Sequence, residues 1–235
     1  MPLADPERMR AVGLMARQVA HDFNNFLSSI LGYASLLRGK LDLEDPRHRY
    51  AKTIETAAND AGLSAERLLT FGRIWTMPPS LIPVDLAAFQ EQVVQLMRST
   101  VVEGQSPRVV DHRVEGSGRL AIDLRHLQRA IEALGANACE AQEGARPPSI
   151  ALQFSVEEDA GKRWVRIAIR DEGCGMAPGV AAQAASPGFT TRGGARRQGL
   201  GIATAQGFAL MHEGRLAIET EEGKGTTATL WLPIR

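Results

Sequence analysis

Apolar and small residues recur at spacings of four and three through the first forty residues, the period of a helix that packs against other helices. They are Val12, Ala16, Val19, Phe23, Phe26, Ile30, Tyr33 and Leu37. Asp5 and Pro6 suit the cap and the first position of this helix, and turn residues end it near Leu41. A second helix runs to about Trp75, with a buried side made of Ile54, Ala58, Ala61, Ala65 and Leu68. The pattern predicts a helical hairpin.

The pattern changes after Met77, where Pro78 and Pro79 end the second helix because proline lacks an amide proton. We place a domain boundary here, with a hairpin in residues 1–77 and a second domain in residues 78–235. Predicted strands lie at 81–84, 108–114, 119–122, 149–156, 164–170, 215–220 and 226–232, and helices at 85–102, from 123 onward and at 200–211. This order predicts an α/β sandwich of mostly antiparallel strands, and therefore an α+β chain.

A lone hairpin of this length buries only one face of each helix. Two copies that associate into a four-helix bundle would remove the remaining apolar stripe from water, so we expect a homodimer. The alternative is a hairpin that packs on its own C-terminal domain.

Composition narrows the classes of partner. The chain has 27 Lys and Arg and 27 Asp and Glu residues, so there is no basic field for nucleic acid or an anionic membrane. Cys139 and Cys174 lack metal-ligand neighbours and indicate free thiols in a reducing compartment. No apolar run is long enough to span a bilayer, so we expect this segment to be cytoplasmic and without membrane contact.

The first helix carries candidate chemistry on its outward face. His21 comes two residues after the inward position Val19, Asp22 follows it directly, and Asn25 lies one turn further on. An exposed imidazole beside a carboxylate and an amide is arranged to react. A solvated helix face that happens to contain a histidine is the plain alternative.

Four patches in the second domain follow a fixed order. Asn137 is a polar residue in the apolar helix at 130–141, and DEGCGM at 171–176 follows a strand. The segment at 186–198, rich in glycine and arginine, indicates a mobile lid, and GLGIA at 199–203 opens a helix whose amides can meet phosphates. Taken singly, these patches also fit a satisfied core amide, a plain turn and a dinucleotide-binding loop. No strand directly precedes GLGIA, which argues against the last.

The stretch VAHDFNNFLSSILGYASLL resembles the phosphoacceptor helix of two-component sensor histidine kinases, in the His-Asp-Phe-Asn-Asn variant. The four later patches resemble the GHKL-type ATP-binding domain shared by histidine kinases, type II topoisomerases, heat-shock chaperone ATPases and mismatch-repair ATPases. The resemblance covers nearly the whole chain. It implies a catalytic set of His21, Asp22 and Asn25, with Asn137 on the magnesium ion and Asp171 reading the adenine amino group.

The same resemblance implies further nucleotide-binding residues. They are Gly173 and Gly175 at the adenine, Phe189, Thr190 and Thr191 in the lid, Gly199, Leu200 and Gly201 at the phosphates, and Thr226 in support of the aspartate. Two positions depart from the family pattern: Gly188 replaces an aromatic residue of the lid, and Ala133 stands where histidine kinases carry a second asparagine and hydrolysing relatives a glutamate. Ala133 puts the orientation of metal and phosphates in doubt, and with it ATP affinity and turnover.

The resemblance therefore implies a dimeric kinase core that binds ATP and Mg²⁺, phosphorylates His21, passes the phosphoryl group to an aspartate of a response regulator and has phosphatase activity through Asn25. Two alternatives stay open. One is a phosphotransfer or scaffold module with a weakened nucleotide site, supported by Ala133. The other is a serine/threonine or small-molecule kinase on the same ATP fold, disfavoured by the motif around His21.

Overall fold

The computed structural model describes residues 5–102, 104–142, 144, 147–191 and 198–235. Two long helices come first, α1 at Pro6–Gly39 and α2 at Pro46–Thr76, and they lie side by side as the predicted hairpin. Asp5 caps α1, where its carboxylate accepts a hydrogen bond from the amide of Glu7 at 3.1 Å. Helix α2 ends one residue before Met77, as the two prolines predict. The domain boundary at residues 77 and 78 stays a prediction.

The two helices of the hairpin meet through small side chains. The buried small residues are Gly13, Ala16, Ala20 and Ala34 on α1 and Ala51, Ala58, Ala65 and Gly72 on α2. The larger apolar residues predicted to point inward are instead exposed in the single chain: Val19, Phe23, Phe26, Ile30, Tyr33, Leu37 and Ile54. Helices that touch through alanine approach closely and use one stripe each, so these larger side chains are not buried within one hairpin. Their place inside a bundle of two hairpins stays a prediction.

The rest of the chain is an α/β domain. Its elements are β1 (Ile82–Asp85), α3 (Leu86–Arg98), β2 (Arg108–His112), β3 (Arg119–Ile122), α4 (Leu124–Glu140), β4 (Ser149–Asp159), β5 (Lys162–Asp171), α5 (Pro178–Gln183), α6 (Gly201–Met211), β6 (Arg215–Glu221) and β7 (Gly225–Ile234). Strands β1 and β3 pair with each other, and the larger sheet has the order β2-β4-β5-β7-β6. Only β2 and β4 are parallel among these pairs, which confirms a mostly antiparallel sandwich.

The two faces of the five-stranded sheet differ. Inward residues such as Val165, Ile167 and Ile169 are buried in one cluster with side chains of α3, α4 and α6. The other face carries Trp164 and Trp231. The Arg215 guanidinium carbon lies 4.6 Å from the Trp231 ring centroid and 5.8 Å from that of Trp164. Arginine stacked on indole covers apolar surface while the charge stays hydrated.

Two predicted boundaries and one missed helix need correction. Helix α3 ends at Arg98 and not near 102, and α5 was not predicted at all. Strand β2 ends at His112, two residues early, because the backbone of Val114 bonds to a side chain instead of a strand. Gln90 donates to the Val114 carbonyl at 3.0 Å and accepts from its amide at 2.9 Å.

A buried polar cluster joins α4, α6 and the segment after the hairpin. His212 donates from Nδ1 to the carbonyl of Phe208 at 2.7 Å, so its Nε2 accepts the amide of Asp123 at 3.0 Å. Asp123 in turn caps α4 and accepts the amide of Ser80 at 2.8 Å. Burial lowers the pKa of both His212 and His126, whose rings pack edge to face. The neutral form of His212 is therefore the one that fits this site.

The base of the hairpin packs on α6. Met9, Ala16, Phe71 and Trp75 form a buried cluster with Ala203, and the indole N–H of Trp75 donates to the Ala203 carbonyl at 3.1 Å. We call this contact the seam. A Cβ added at Gly207 would lie 2.7 Å from the Trp75 ring, so α6 needs a glycine there to approach it. The hairpin thus packs on its own C-terminal domain at the base.

Candidate active site

One cavity of about 800 Å³ opens between α4, the loop after β5, the segment before α6 and the start of β7. Most of the residues predicted to bind nucleotide line it: Asn137, Asp171, Gly175, Phe189, Thr190, Thr191, Gly199, Leu200, Gly201 and Thr226. The fold therefore brings together patches that are up to ninety residues apart in the sequence.

Asp171 is the buried acid of the cavity. It ends β5, and its Oδ1 accepts the amide of Gly173 at 2.9 Å and the amide of Thr226 at 3.2 Å. These bonds link the loop after β5 to β7 and fix the orientation of the carboxylate. A carboxylate held in this way can accept a hydrogen bond from an exocyclic amine of a ligand. Thr226 supports Asp171 through its amide, while its hydroxyl shares a hydrogen bond with Thr220.

Glycine is required in the loop after Asp171 because backbone approaches it from both sides. Gly173 packs on the end of α4, where an added Cβ would come within 2.6 Å of Ala141. Gly175 has a φ of +62°, and a Cβ there would overlap the carbonyl oxygen of Glu221. Gly173 is buried and does not itself line the cavity, whereas Gly175 does. Gly173 therefore shapes the loop that Gly175 presents to the cavity.

Asn137 faces the start of α6. Its side chain is exposed to the cavity, and a Cβ added at Gly201 would lie 2.9 Å from its amide nitrogen. Leu200 caps α6 without a side-chain hydrogen bond. Amides at a helix start carry partial positive charge and can meet phosphate oxygens. Ala133, one turn before Asn137, presents only a methyl group to the cavity.

The donor set fits a magnesium ion that arrives with phosphates. Asn137 supplies an amide oxygen, a ligand that Mg²⁺ accepts. Within the part of the chain that the structure describes, no group of three or more His, Cys, Asp or Glu residues could hold a metal by itself. Mg²⁺ usually takes one or two protein oxygens and completes its shell with water and substrate phosphates.

The predicted lid at 186–198 is described only at its two ends, since residues 192–197 lie outside the described residues. The amide of Gly188 donates to the carbonyl of Gly199 at 3.1 Å and closes the stem of this segment. Phe189, Thr190 and Thr191 follow on the cavity side. Both cysteines are free thiols, as predicted, and Cys174 is the exposed one.

His21 lies on the hairpin and is not among the residues that line the cavity. Its side chain is 70% exposed, and its Nδ1 lies 3.3 Å from Oδ1 of Asp22. The side-chain amide of Gln18 donates to both oxygens of Asp22, at 3.3 and 3.2 Å. Asn25 is also exposed. His21, Asp22 and Asn25 are therefore exposed on α1, as predicted. Gln18 also belongs to this face, and its spacing of four residues from Asp22 could have revealed it.

The cavity extends to the hairpin, which sequence reasoning missed. Arg129 of α4 lines it and forms ion pairs with Glu66 of α2 at 3.1 Å and Glu132 at 3.3 Å. Arg129 precedes Asn137 by eight residues, so the helical period alone places the two on one face. The pairing of Arg129 with Glu66 has no local signal because 63 residues separate them.

Comparison with known proteins matches both parts of the chain. A family model described as His Kinase A (phospho-acceptor) domain matches residues 11–75. A second, described as Histidine kinase-, DNA gyrase B-, and HSP90-like ATPase, matches residues 122–235. Similar curated proteins include Sensor kinase CckA of Brucella abortus, 27% identical over 98% of this chain and 25% of that protein. Sensor histidine kinase ZraS of Escherichia coli K12 is 28% identical over 97% of this chain and 47% of that protein.

The crystal structure of full-length ShkA in complex with AMPPNP has the same fold, with a TM-score of 0.71 and 23% identity over 98% of this chain and 46% of that chain. The chain thus spans between a quarter and a half of the length of these relatives. Fold and site define a protein that couples a phosphoacceptor hairpin to an ATP-binding domain. The chain belongs to the two-component histidine kinases, an ATP-dependent enzyme family. In the described part of the chain, no helix has the length and apolar character to cross a membrane.

Proposed function

We propose that this chain is the core of a sensor histidine kinase that phosphorylates its own His21 from Mg-ATP. One observation carries the proposal: a single chain combines an exposed His–Asp pair with a separate cavity containing Asn137, Asp171 and Gly201. An enzyme that transfers phosphate to its own side chain needs both. The division into residues 1–77 and 78–235 is part of the proposal, because the second domain must leave the seam to reach His21.

Within the cavity, we assign adenine recognition to Asp171 and the metal to Asn137. The two amides that bind Asp171 keep its carboxylate in place for an incoming amine. Thr190 and Thr191 lie on the lid side, and Gly199 to Gly201 leave room for phosphates at the start of α6. Bound Mg²⁺ would neutralise phosphate charge, which is most of what phosphoryl transfer requires. Ala133 provides no base for water, which favours transfer to a side chain over hydrolysis.

At the acceptor, the role of Asp22 follows from its distance to His21. A nucleophilic imidazole must present an unprotonated nitrogen to phosphorus. Oδ1 of Asp22 lies 3.3 Å from Nδ1, so it favours the tautomer with the proton on Nδ1 and leaves the lone pair on Nε2. Gln18 limits the motion of Asp22 by donating to both carboxylate oxygens. Asp22 can also take up the proton that Nδ1 loses.

We further propose that the protein works as a homodimer. Large apolar side chains stay exposed along α1 in the single chain, among them Phe23 at 55%, Phe26 at 66% and Tyr33 at 77%. A contiguous apolar stripe of this kind marks an interaction surface. A second hairpin of the same sequence would cover it in a four-helix bundle.

The phosphoryl group on His21 would then pass to an aspartate on a response regulator docked along the bundle. Asn25 stands one turn beyond His21 on the same exposed face. Its amide can orient a water molecule through one donor and one acceptor. We therefore assign to Asn25 the hydrolysis of the phosphorylated regulator.

Incubation of the purified chain with labelled ATP and Mg²⁺ tests autophosphorylation. We expect acid-labile, base-stable label that His21→Ala abolishes without loss of nucleotide binding. His48→Ala, a second histidine on the hairpin, is the control and keeps the label. Asn137→Ala loses both Mg²⁺-dependent binding and label. Nucleotide titrations that show no binding to the wild type would favour the phosphotransfer module, and acid-stable label would indicate a hydroxyl acceptor.

The phosphatase role of Asn25 has its own test. Phosphorylated regulator and ADP are added to wild type and Asn25→Ala, and the loss of phosphate is followed. We expect the variant to retain autophosphorylation and lose phosphatase activity. Equal rates of phosphate loss would contradict the assignment.

A further inference from the structure

Charged side chains of both signs are among the described residues that line the cavity. Acidic side chains outnumber basic ones among the described lining residues. The acids are Glu66, Glu132, Glu140, Asp171 and Glu222, and the bases are Arg67 and Arg129. A nucleotide triphosphate that enters a cavity with this lining meets carboxylates of the same charge. One bound Mg²⁺ neutralises only part of the negative charge of the triphosphate. A protein cation beside the phosphates would offset this repulsion.

Arg129 is the basic residue that α4 contributes to the lining of the cavity. Residues 129, 133 and 137 lie on one face of this helix, one turn apart. Side chains on a helix lean toward its N-terminus, so Asn137 leans back over Ala133. The guanidinium of Arg129 reaches Glu132, the residue before Ala133, at 3.3 Å. At 1.5 Å per residue, Ala133 is about 6 Å from both Arg129 and Asn137 along the axis. A methyl group at 133 leaves that space open to a guanidinium.

Arg129 is held in a way that allows release. Its partners Glu66 and Glu132 are surface carboxylates, and the side chains of Arg129 and Glu66 are 45% and 56% exposed. Exposed ion pairs contribute little to stability, so their exchange for a phosphate costs little. Guanidinium binds phosphate in a bidentate geometry and keeps its charge at any physiological pH.

We propose that Arg129 binds the phosphates of the nucleotide in this chain and takes the place of the polar residue missing at Ala133. Glu66 holds Arg129 on the hairpin side while the cavity is empty, and the triphosphate competes with Glu66 for it. Nucleotide binding then removes one contact between the hairpin and the second domain. This inference rests on the proposed function, since it assumes that the cavity takes ATP.

Calorimetric titration of the full chain with ATP, ADP and adenosine in the presence of Mg²⁺ tests the inference without using activity. Arg129→Gln weakens ATP binding about tenfold, the effect of one lost charge-assisted hydrogen-bonding pair, and weakens ADP binding less. Adenosine binding stays unchanged. Glu66→Gln tightens ATP binding about twofold to threefold because a competing surface pair is gone. Ala133→Asn restores part of the ATP affinity in the Arg129→Gln background.

Arg125→Gln is the matched control, since Arg125 is an exposed arginine on the same helix that does not line the cavity. It leaves all three affinities unchanged. Equal ATP affinity in wild type and Arg129→Gln overturns this inference and leaves the proposed function standing. A loss of ATP affinity in Arg67→Gln but not in Arg129→Gln has the same consequence. A loss in Arg129→Gln that is the same for adenosine as for ATP overturns the inference as well. No binding of any nucleotide to the wild type overturns the proposed function itself.

Discussion

The α/β domain and the hairpin bury their apolar residues in different ways. The domain has a continuous core in which Phe89, Leu127 and Phe208 are fully buried among side chains of every layer. The hairpin has its one cluster of large buried residues at the base, and that cluster includes Ala203 of the other domain. Above the base, helix meets helix through alanine, and the large residues face outward. The first region buries its large apolar residues within one chain, whereas the second leaves many of its large apolar residues exposed.

The two regions also differ in the functional residues that they carry. The residues that we assign to nucleotide binding stand on elements fixed by the core of the α/β domain, where buried bonds such as those to Asp171 hold them. His21 stands on the hairpin and is exposed, with Asp22 beside it and Gln18 bonded to Asp22. Under the proposed function, His21 has to meet both the nucleotide-binding domain and a response regulator, and exposure permits both encounters. A rigid nucleotide site benefits from burial.

Truncation of one phenylalanine in each region gives the largest contrast. Phe89→Ala empties a fully buried site and lowers the free energy of unfolding by about 3–5 kcal/mol. Phe26→Ala leaves unfolding of the dilute chain nearly unchanged and raises the dissociation constant of the dimer. Urea unfolding followed by circular dichroism, with ultracentrifugation across a dilution series, measures both. A large loss of stability for Phe26→Ala in the monomer would remove the contrast.

The seam allows a smaller test. Gly207→Ala places a Cβ against the Trp75 ring and the side chain of Ile74, so we expect a loss of about 1–3 kcal/mol in stability and weaker packing of the hairpin base. Gly62→Ala on the hairpin is the control, because nothing lies within 4 Å of its added Cβ. It should stabilise by about 0.5–1 kcal/mol through helix propensity. Melting curves decide, and a stabilising Gly207→Ala would show that α6 does not need its glycine.

A fall in pH has the smallest expected effect on the free energy of unfolding, and it acts on the α/β domain. Burial lowers the pKa of His126 and His212 below the ordinary value of 6.5, and the carboxylate of Asp123 opposes this shift without cancelling it. The unfolded chain therefore binds protons first as the pH falls. Stability is complete above about pH 6.5 and declines below it, by at most about 1.4 kcal/mol per pH unit for each histidine.

Urea unfolding between pH 5.5 and 7.5 measures this decline in a range where most carboxylates stay ionised. The slope should be smaller in His212→Gln, which removes one of the two groups. A slope that is identical in wild type and variant would show that His212 does not bind a proton differently in the two states.

How much the sequence predicts depends on how local the deciding contact is. Asp5 with Pro6 and Met77 with Pro78 mark helix ends by chemistry within a few residues, and these ends are confirmed. The loop after Asp171 is likewise encoded by its own glycines. Burial along α1 is not local, because it depends on which surface covers each residue. Phe23 and Phe26 follow the period of an inward stripe, yet they are exposed in the single chain.

Contacts between distant segments leave only indirect marks in the sequence. The bond from Trp75 to Ala203 joins residues 128 positions apart. Its available signal is Gly207, a helix-weakening residue inside a helix, which indicates close approach by a neighbour. Asn137 could be placed on its helix from the pattern, but its exposure to a cavity follows from where Gly201 lies. The ion pair of Arg129 with Glu66 has no comparable mark.

The positions of the three tryptophans allow the seam to be followed by tryptophan fluorescence. Trp164 and Trp231 lie on the outer side of the sheet, and both rings contact Arg215. Trp75 is the sole indole of the hairpin and is fully buried at the seam. With the two sheet tryptophans replaced by phenylalanine, emission comes from Trp75 alone. The wavelength of its emission maximum then reports whether the hairpin base and α6 are in contact or whether water has reached the Trp75 ring.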